Sequence, residues 1–265
     1  MRTRPLRLAT FNVLHGRSVA DGLVDAGRLA EACASLDADV LCLQEIDRGQ
    51  ARSGGADQTG AVAEALGAAA WRFQPALVGE PGRVWRAATG GAGEENEPGY
   101  GVGIVSRLPV EKWHVLRLAP APVRAPVFVP GGKGRAILLP DEPRLVLAAQ
   151  LPGLLVGTTH LSFVPGYNLL QLRRATRWLA KLGPGPCVLL GDLNVPGPFP
   201  GLASGWKSLT KARTYPADRP ALQVDHVLAR GALPPVRRTA TRRLPLSDHL
   251  AVIVELGDGP NVSKP

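Results

Sequence analysis

Cysteine is scarce in this chain. Of 265 residues only Cys33, Cys42 and Cys187 carry a thiol, each inside an apolar segment. An odd number, with no Cys-x-x-Cys, argues against a disulfide framework and leaves three small buried hydrophobes. His-Glu-x-x-His is absent, and no Cys–His cluster stands in for it, so zinc is disfavoured. No apolar run is long enough to span a bilayer. The N-terminus carries Arg2 and Arg4 but passes straight into an alternating strand, without the apolar core of a signal peptide. A soluble, reducing, cytoplasmic setting is expected. No Ser/Gly linker, charge block or internal repeat divides the sequence. It reads as one domain over residues 1–265, with a core at 6–256, a frayed tail at 257–265 and a monomeric state.

Lysine is scarce as well, yet the formal net charge is +9, nearly all of the excess being arginine. A basic balance suits a polyanionic partner: nucleic acid, phospholipid head groups or a phosphorylated substrate. The arginines are scattered through a chain rich in Ala, Gly and Pro, so charge alone does not choose among these.

The informative stretch is Cys187-Val-Leu-Leu-Gly-Asp192-Leu-Asn194. The apolar run predicts a strand buried on both faces. Gly191 lets the backbone turn or approach a neighbour closely. Asp192 and Asn194, two apart on an extended backbone, would point the same way at the carboxyl end of that strand. By itself Gly-Asp-Leu-Asn also reads as a turn.

Other strands end in the same kind of residue. Residues 6–13 alternate and bring Asn12 to the end of one face, and 39–45 form a second buried strand ending in Glu45. A hairpin at Pro152-Gly153 joins 144–151 to 154–160, placing His160 at a strand end. Residues 223–228 carry Asp225 and His226 on opposite faces, so at most one serves a shared site. Asp248 and His249 precede a last buried strand at 250–256. Strands are also expected at 71–78, 100–106, 110–118 and, as an edge, 236–243. Helices are expected at 24–36, 57–66 with Gly67 as cap, and 169–182 with an exposed face of Arg173, Arg174 and Arg177. Residues 79–99 read as a mobile surface loop, 120–143 as irregular with a short edge strand at 136–139, and 195–220 as loop anchored by Trp206. Hairpins beside helix crossovers make an α/β protein with a mixed sheet.

Asn12, Glu45, His160, Asp192, Asn194, Asp225, Asp248 and His249 can thus share one rim. The set offers hard oxygen ligands and two acid–base histidines but no thiolate, which suits Mg²⁺.

Seven segments carry a resemblance: Thr-Phe-Asn12, Leu-Gln-Glu45, Gly-Val-Gly-Ile-Val-Ser106-Arg107, Thr-His160-Leu, Gly-Asp192-Leu-Asn194, Val-Asp225-His and Ser-Asp248-His249. In this order they resemble the motifs of the endonuclease/exonuclease/phosphatase superfamily, across residues 6–256. The resemblance implies a DNase I-like four-layer α/β/β/α sandwich of two packed mixed sheets and a divalent-metal phosphoesterase using Mg²⁺, with Mn²⁺ as an alternative. It implies Glu45 as main metal ligand, supported by Asn12 and Asp248. Asp192 would orient or deprotonate the attacking water, and Asn194 would hold that water or a phosphate oxygen. His160 would contact the phosphate or the leaving oxygen, and His249 the scissile phosphate, its ring oriented by Asp225. The Thr-x-His segment is similar to the DNase I and sphingomyelinase branches, which disfavours abasic-site cleavage.

The expected activity is hydrolysis of a phosphodiester, with nucleic acid the leading partner. A phosphatase or phosphodiesterase on phospholipid or inositol-phosphate head groups is the alternative within the enzyme class. A non-catalytic binding module of the same fold is the alternative outside it, disfavoured because no carboxylate or histidine of the set is missing.

Overall fold

The computed structural model describes residues 5–128 and 136–257. In chain order the elements are β1 (Leu6–Asn12), α1 (Ala26–Ala34), β2 (Val40–Arg48), α2 (Gln58–Leu66), β3 (Ala70–Gly79), β4 (Trp85–Ala87) and β5 (Gly99–Ser106). There follow β6 (Lys112–Leu118), β7 (Arg124–Phe128), β8 (Ala136–Pro140), β9 (Arg144–Leu151), β10 (Leu154–His160) and α3 (Tyr167–Lys181). The chain closes with β11 (Cys187–Asp192), α4 (Phe199–Ser204), β12 (Lys207–Ser208), β13 (Asp225–Arg230), β14 (Val236–Arg242) and β15 (Ala251–Leu256).

Side chains alternate across a strand, so each central strand feeds two cores. In β11, Cys187 and Leu189 pack outward with Leu172, Ala175 and Leu179 of α3, while Val188 and Leu190 pack inward. In β1, Leu8 lies between the sheets, whereas Ala9 and Phe11 meet Leu29 and Cys33 of α1 and Val62 and Leu66 of α2. The three clusters therefore separate four layers: α1 and α2, a mixed sheet ordered β14-β15-β1-β2-β5-β3-β4, a second mixed sheet ordered β12-β13-β11-β10-β9-β6, then α3. This is the expected α/β/β/α sandwich. The edge position of β14, the hairpin at Pro152-Gly153, the Gly67 cap and the buried Trp206 also follow the sequence. Among the described residues no helix is long and apolar enough to cross a membrane.

Two expectations are corrected. Residues 79–99, read as a mobile loop, contain β4 paired with β3 and a helical turn at Glu94–Asn96. The organiser is Glu94, whose buried carboxylate accepts from the Thr89 and Gly90 amides, the Thr89 hydroxyl and Arg86. Residues 120–143, read as irregular, supply the β7–β8 ribbon. The expected edge strand at 136–139 is one arm of it. In the 195–220 loop, α4 and the short β12 form around Trp206. Residues 258–265 of the expected tail lie outside the described residues.

Gly191 serves the close approach expected of it. Its φ is +149°, and a Cβ there would collide with the Thr159 carbonyl of β10. That tight pairing keeps His160 and Asp192 in register at the strand ends.

Candidate active site

Sheet register builds the site. His160 pairs with Asp192 across the parallel β10–β11 ladder, and Asp192 with Asp225 across the antiparallel β11–β13 ladder. Three chemically active residues thus stand in one row on neighbouring strands. The facing sheet contributes Asn12 at the end of β1 and Glu45 on β2.

Glu45 was expected to end its strand. It does not: β2 runs on to Arg48, and a β-bulge between Gln44 and Ile46 turns Glu45 out with φ +56°. Just beneath, Gln44 bonds the Thr10 hydroxyl and donates to Thr158 of the other sheet at 2.9 Å, tying the sheets together under the site. Asn12 is fully buried, and its amide nitrogen donates to Glu45 Oε1 and Asp192 Oδ2, both at 3.0 Å. One carboxamide therefore bridges two carboxylates. Burial pushes the Glu45 pKa up, partly offset by the Asn12 hydrogen bond, and Asp248 and Glu142 stand near enough to raise it further.

Asp192 and Asn194 do not share a face by strand alternation. Asn194 is left-handed, φ +50°, and its amide donates to Asp192 Oδ1 at 3.0 Å. This is the turn chemistry of Asp placed at a strand end. It aims the Asn194 side-chain nitrogen at the Leu161 carbonyl, 3.0 Å, and at His160 Nε2, 3.1 Å. Asp192 is buried beside Asp225, and burial with that neighbouring charge raises its pKa to about 7.

His249 Nδ1 lies 2.9 Å from Asp225 Oδ2, and both groups are buried. Burial opposes charge on the ring, but Asp225, then Asp192 and Asp248, outweigh it and raise the His249 pKa to about 10. Its Nε2 faces Asp192 Oδ2 at 3.8 Å and Asp248 Oδ1 at 4.0 Å. Among the described residues the second Asp225 oxygen is buried without a partner, and only the ring bonds the carboxylate. His160 is the opposite case. Burial, Arg144 and His249 push its pKa well below the ordinary value, leaving a neutral ring. Arg144 Nη1 stands 3.3 Å from its Nδ1, so two N–H donors face a ring that has one lone pair to offer. His226 points away, to the Val195 carbonyl at 2.8 Å.

Three neighbours were not among the expected site residues. Arg144 is buried at the start of β9 beside Asp141 and Glu142, but nothing in its local sequence distinguishes it from other arginines. Ser247 donates to the Asn12 carbonyl at 2.6 Å and accepts from the His249 amide at 3.1 Å, joining β1 to the histidine. Tyr215, inside the long loop, packs its ring 4.9 Å from that of His249.

Two groups of ligand atoms lie here. Atoms of Asp192, Asp225 and His249 come within 4.8 Å of one another. A histidine protonated against Asp225 has no lone pair for a metal, so this trio fits proton chemistry better. Glu45, its side chain 20% exposed, and Asp248 offer oxygens on the more open side, while Asn12 turns its amide nitrogen to Glu45 and its oxygen accepts from the Leu14 amide at 3.2 Å. Hard oxygen donors of this kind fit a divalent cation such as Mg²⁺.

The sequence matches the Endonuclease/Exonuclease/phosphatase family over residues 9–249. The chain belongs to the endonuclease/exonuclease/phosphatase family. Members are phosphoester hydrolases, generally dependent on a divalent metal, and this protein is accordingly an enzyme of that class. An endonuclease/exonuclease/phosphatase from Beutenbergia cavernae superimposes with a TM-score of 0.64 at 22% identity, covering 98% of this chain and 74% of that one. Truncated Caenorhabditis elegans TDP2 gives 0.56 at 16% identity, with coverage of 95% and 97%. The mannosyl-6-phosphatase Bt3783 of Bacteroides thetaiotaomicron gives 0.59 at 19% identity, with coverage of 95% and 99%. At these identities the likeness is one of fold. No curated protein matches the sequence.

Proposed function

We propose that this family member is a Mg²⁺-dependent phosphodiesterase acting on nucleic acid. The observation that carries the reading is the Asp225–His249 pair set opposite Asp192, beside the oxygen ligands Glu45, Asn12 and Asp248. Those three ligands would hold the ion, which when bound supplies positive charge to offset that of the phosphate.

The chain's own groups do the rest. Asp192, its pKa raised by burial and the neighbouring Asp225 charge, takes a proton from the attacking water. Asn194, whose side-chain nitrogen donates to the Leu161 carbonyl, offers its oxygen to accept from that water and orient it. The water oxygen bonds to phosphorus as the bond to the leaving oxygen breaks, and the departing alkoxide takes up a proton from solvent. His249, charged and held by Asp225, donates from Nε2 to a phosphate oxygen as negative charge builds there. The neutral His160 lies beside Asp192, Nε2 to Oδ2 3.6 Å, where it contacts the phosphate or leaving oxygen. The net charge of +9 fits a polyanion, and nucleic acid is the leading one when charge is taken together with the family. The experiment is Mg²⁺-dependent product release from DNA, RNA, sphingomyelin, phosphoinositides and bis(p-nitrophenyl) phosphate. Release from nucleic acid and the small diester is expected; release from lipids alone would overturn the substrate assignment.

A further inference from the structure

The chain contains a second basic feature, away from the row of strand ends. A groove of about 530 Å³ runs along the outer side of α3, lined by Leu116 of β6 and by Leu170, Arg173, Arg174, Arg177, Trp178 and Lys181. Neither α3 nor β6 contains an acidic residue. Arg173 donates to the Ala203 carbonyl at 3.4 Å, and among the described residues none of the four cations makes an ion pair. All four are exposed, Trp178 is half-buried between them, and Leu170 is 60% exposed. Helix geometry makes this one face, since residues three, four and seven apart stack along it. From Leu170 to Lys181 it spans about 16 Å.

We propose that this groove binds single-stranded nucleic acid, the strand's phosphates lying along the arginines and lysine and a base stacking on Trp178. The occupant draws on the nucleic-acid reading above, but the groove carries its own evidence. Unpaired cations around an aromatic floor are the chemistry that holds a strand without reading its sequence. The groove also leads to the chemistry. The first turn of α3 abuts the site, with Asn168 donating to the Asn194 carbonyl at 2.7 Å and Gln171 accepting from the Ser162 amide at 2.8 Å. The Leu170 end of the groove is thus the end nearer the site. An anionic bilayer fits less well, because a flat surface cannot reach the floor of a concave groove.

The test uses the full chain in EDTA, to prevent turnover, with a fluorescein-labelled 15-nucleotide oligothymidylate read by anisotropy. The triple variant Arg174→Glu, Arg177→Glu, Lys181→Glu should weaken binding by more than about tenfold and flatten the salt dependence by about two units of slope. Trp178→Ala should weaken it about fivefold or more. A control triple, Arg72→Glu, Arg238→Glu, Arg243→Glu, changes net charge equally and should leave affinity nearly unchanged. Both triple variants should keep the wild-type melting temperature, and every variant the wild-type rate with Mg²⁺ on bis(p-nitrophenyl) phosphate. Equal weakening by both triples would overturn the groove, as would α3-dependent binding to phosphatidylserine vesicles without binding to the oligonucleotide. Wild-type inactivity on the small diester would bring down the phosphodiesterase reading while leaving an α3-dependent affinity, and so the groove, standing.

Discussion

Substituting Asp225 by Asn and His249 by Ala, singly and together, probes the core of the site. The carboxylate and ring are 2.9 Å apart and buried, and the other Asp225 oxygen has no partner. Each group thus depends on the other, and Asp248, 4.0 Å from Nε2, does not reach Nδ1's place. If His249 stabilises charge on the phosphate and Asp225 acts only through it, each single change should slow kcat by about 10²–10⁴-fold, the scale of acid–base groups. The double variant should then lose little more than the worse single. For losses near a hundredfold each, that is a coupling of about 2.8 kcal/mol, at about 1.4 kcal/mol per tenfold. The assay is single-turnover hydrolysis of bis(p-nitrophenyl) phosphate with Mg²⁺, which separates the chemical step from binding. Fully additive losses would show that the two act independently and would refute the relay.

Glu45→Gln keeps the shape of the bulge but weakens a hard ligand, so it should raise the Mg²⁺ concentration for half-maximal rate about tenfold or more; an unchanged metal titration counts against Glu45. Glu94, with its pKa lowered to about 2 because hydrogen bonds from Thr89, Arg86 and Gly90 outweigh the burial penalty, stabilises the 79–99 segment above its unfolded value near 4.5. That contribution fades as pH falls toward 2, so thermal melts of wild type and Glu94→Gln should differ at pH 7 and converge below pH 3, whereas a pH-independent gap would refute it. Gly191→Ala should lower the melting temperature sharply, because its Cβ has no room against the Thr159 carbonyl; a wild-type melt would show that the β10–β11 contact is not needed.

Most of the layering was legible because buried strands announce themselves by unbroken apolar runs, as Cys187 to Leu190 does. The ends of those runs also marked the eight residues that meet at the site, since strand ends are where a doubly covered sheet can present polar groups. What stayed hidden was set by distant contacts. The bulge that turns Glu45 outward depends on pairing with β5, which no local pattern encodes. Asn194 reached the site by a left-handed turn, a conformation strand alternation does not anticipate. The order around Glu94 comes from bonds to Thr89, Gly90 and Arg86, in a stretch whose Gly and Glu content imitates a loop. Arg144 comes to His160 only through the β9–β10 hairpin, so no neighbour in sequence marks it.

The most direct test of the central claim is cleavage of an end-labelled oligonucleotide by wild type and Asp192→Asn, with Mg²⁺ and with EDTA. Asp192→Asn removes the base and hardly changes volume, so turnover should fall about 10²–10⁴-fold while affinity for the strand changes far less. Wild type should cleave in Mg²⁺ and not in EDTA. Equal cleavage by wild type and variant, or cleavage that persists in EDTA, would contradict the account.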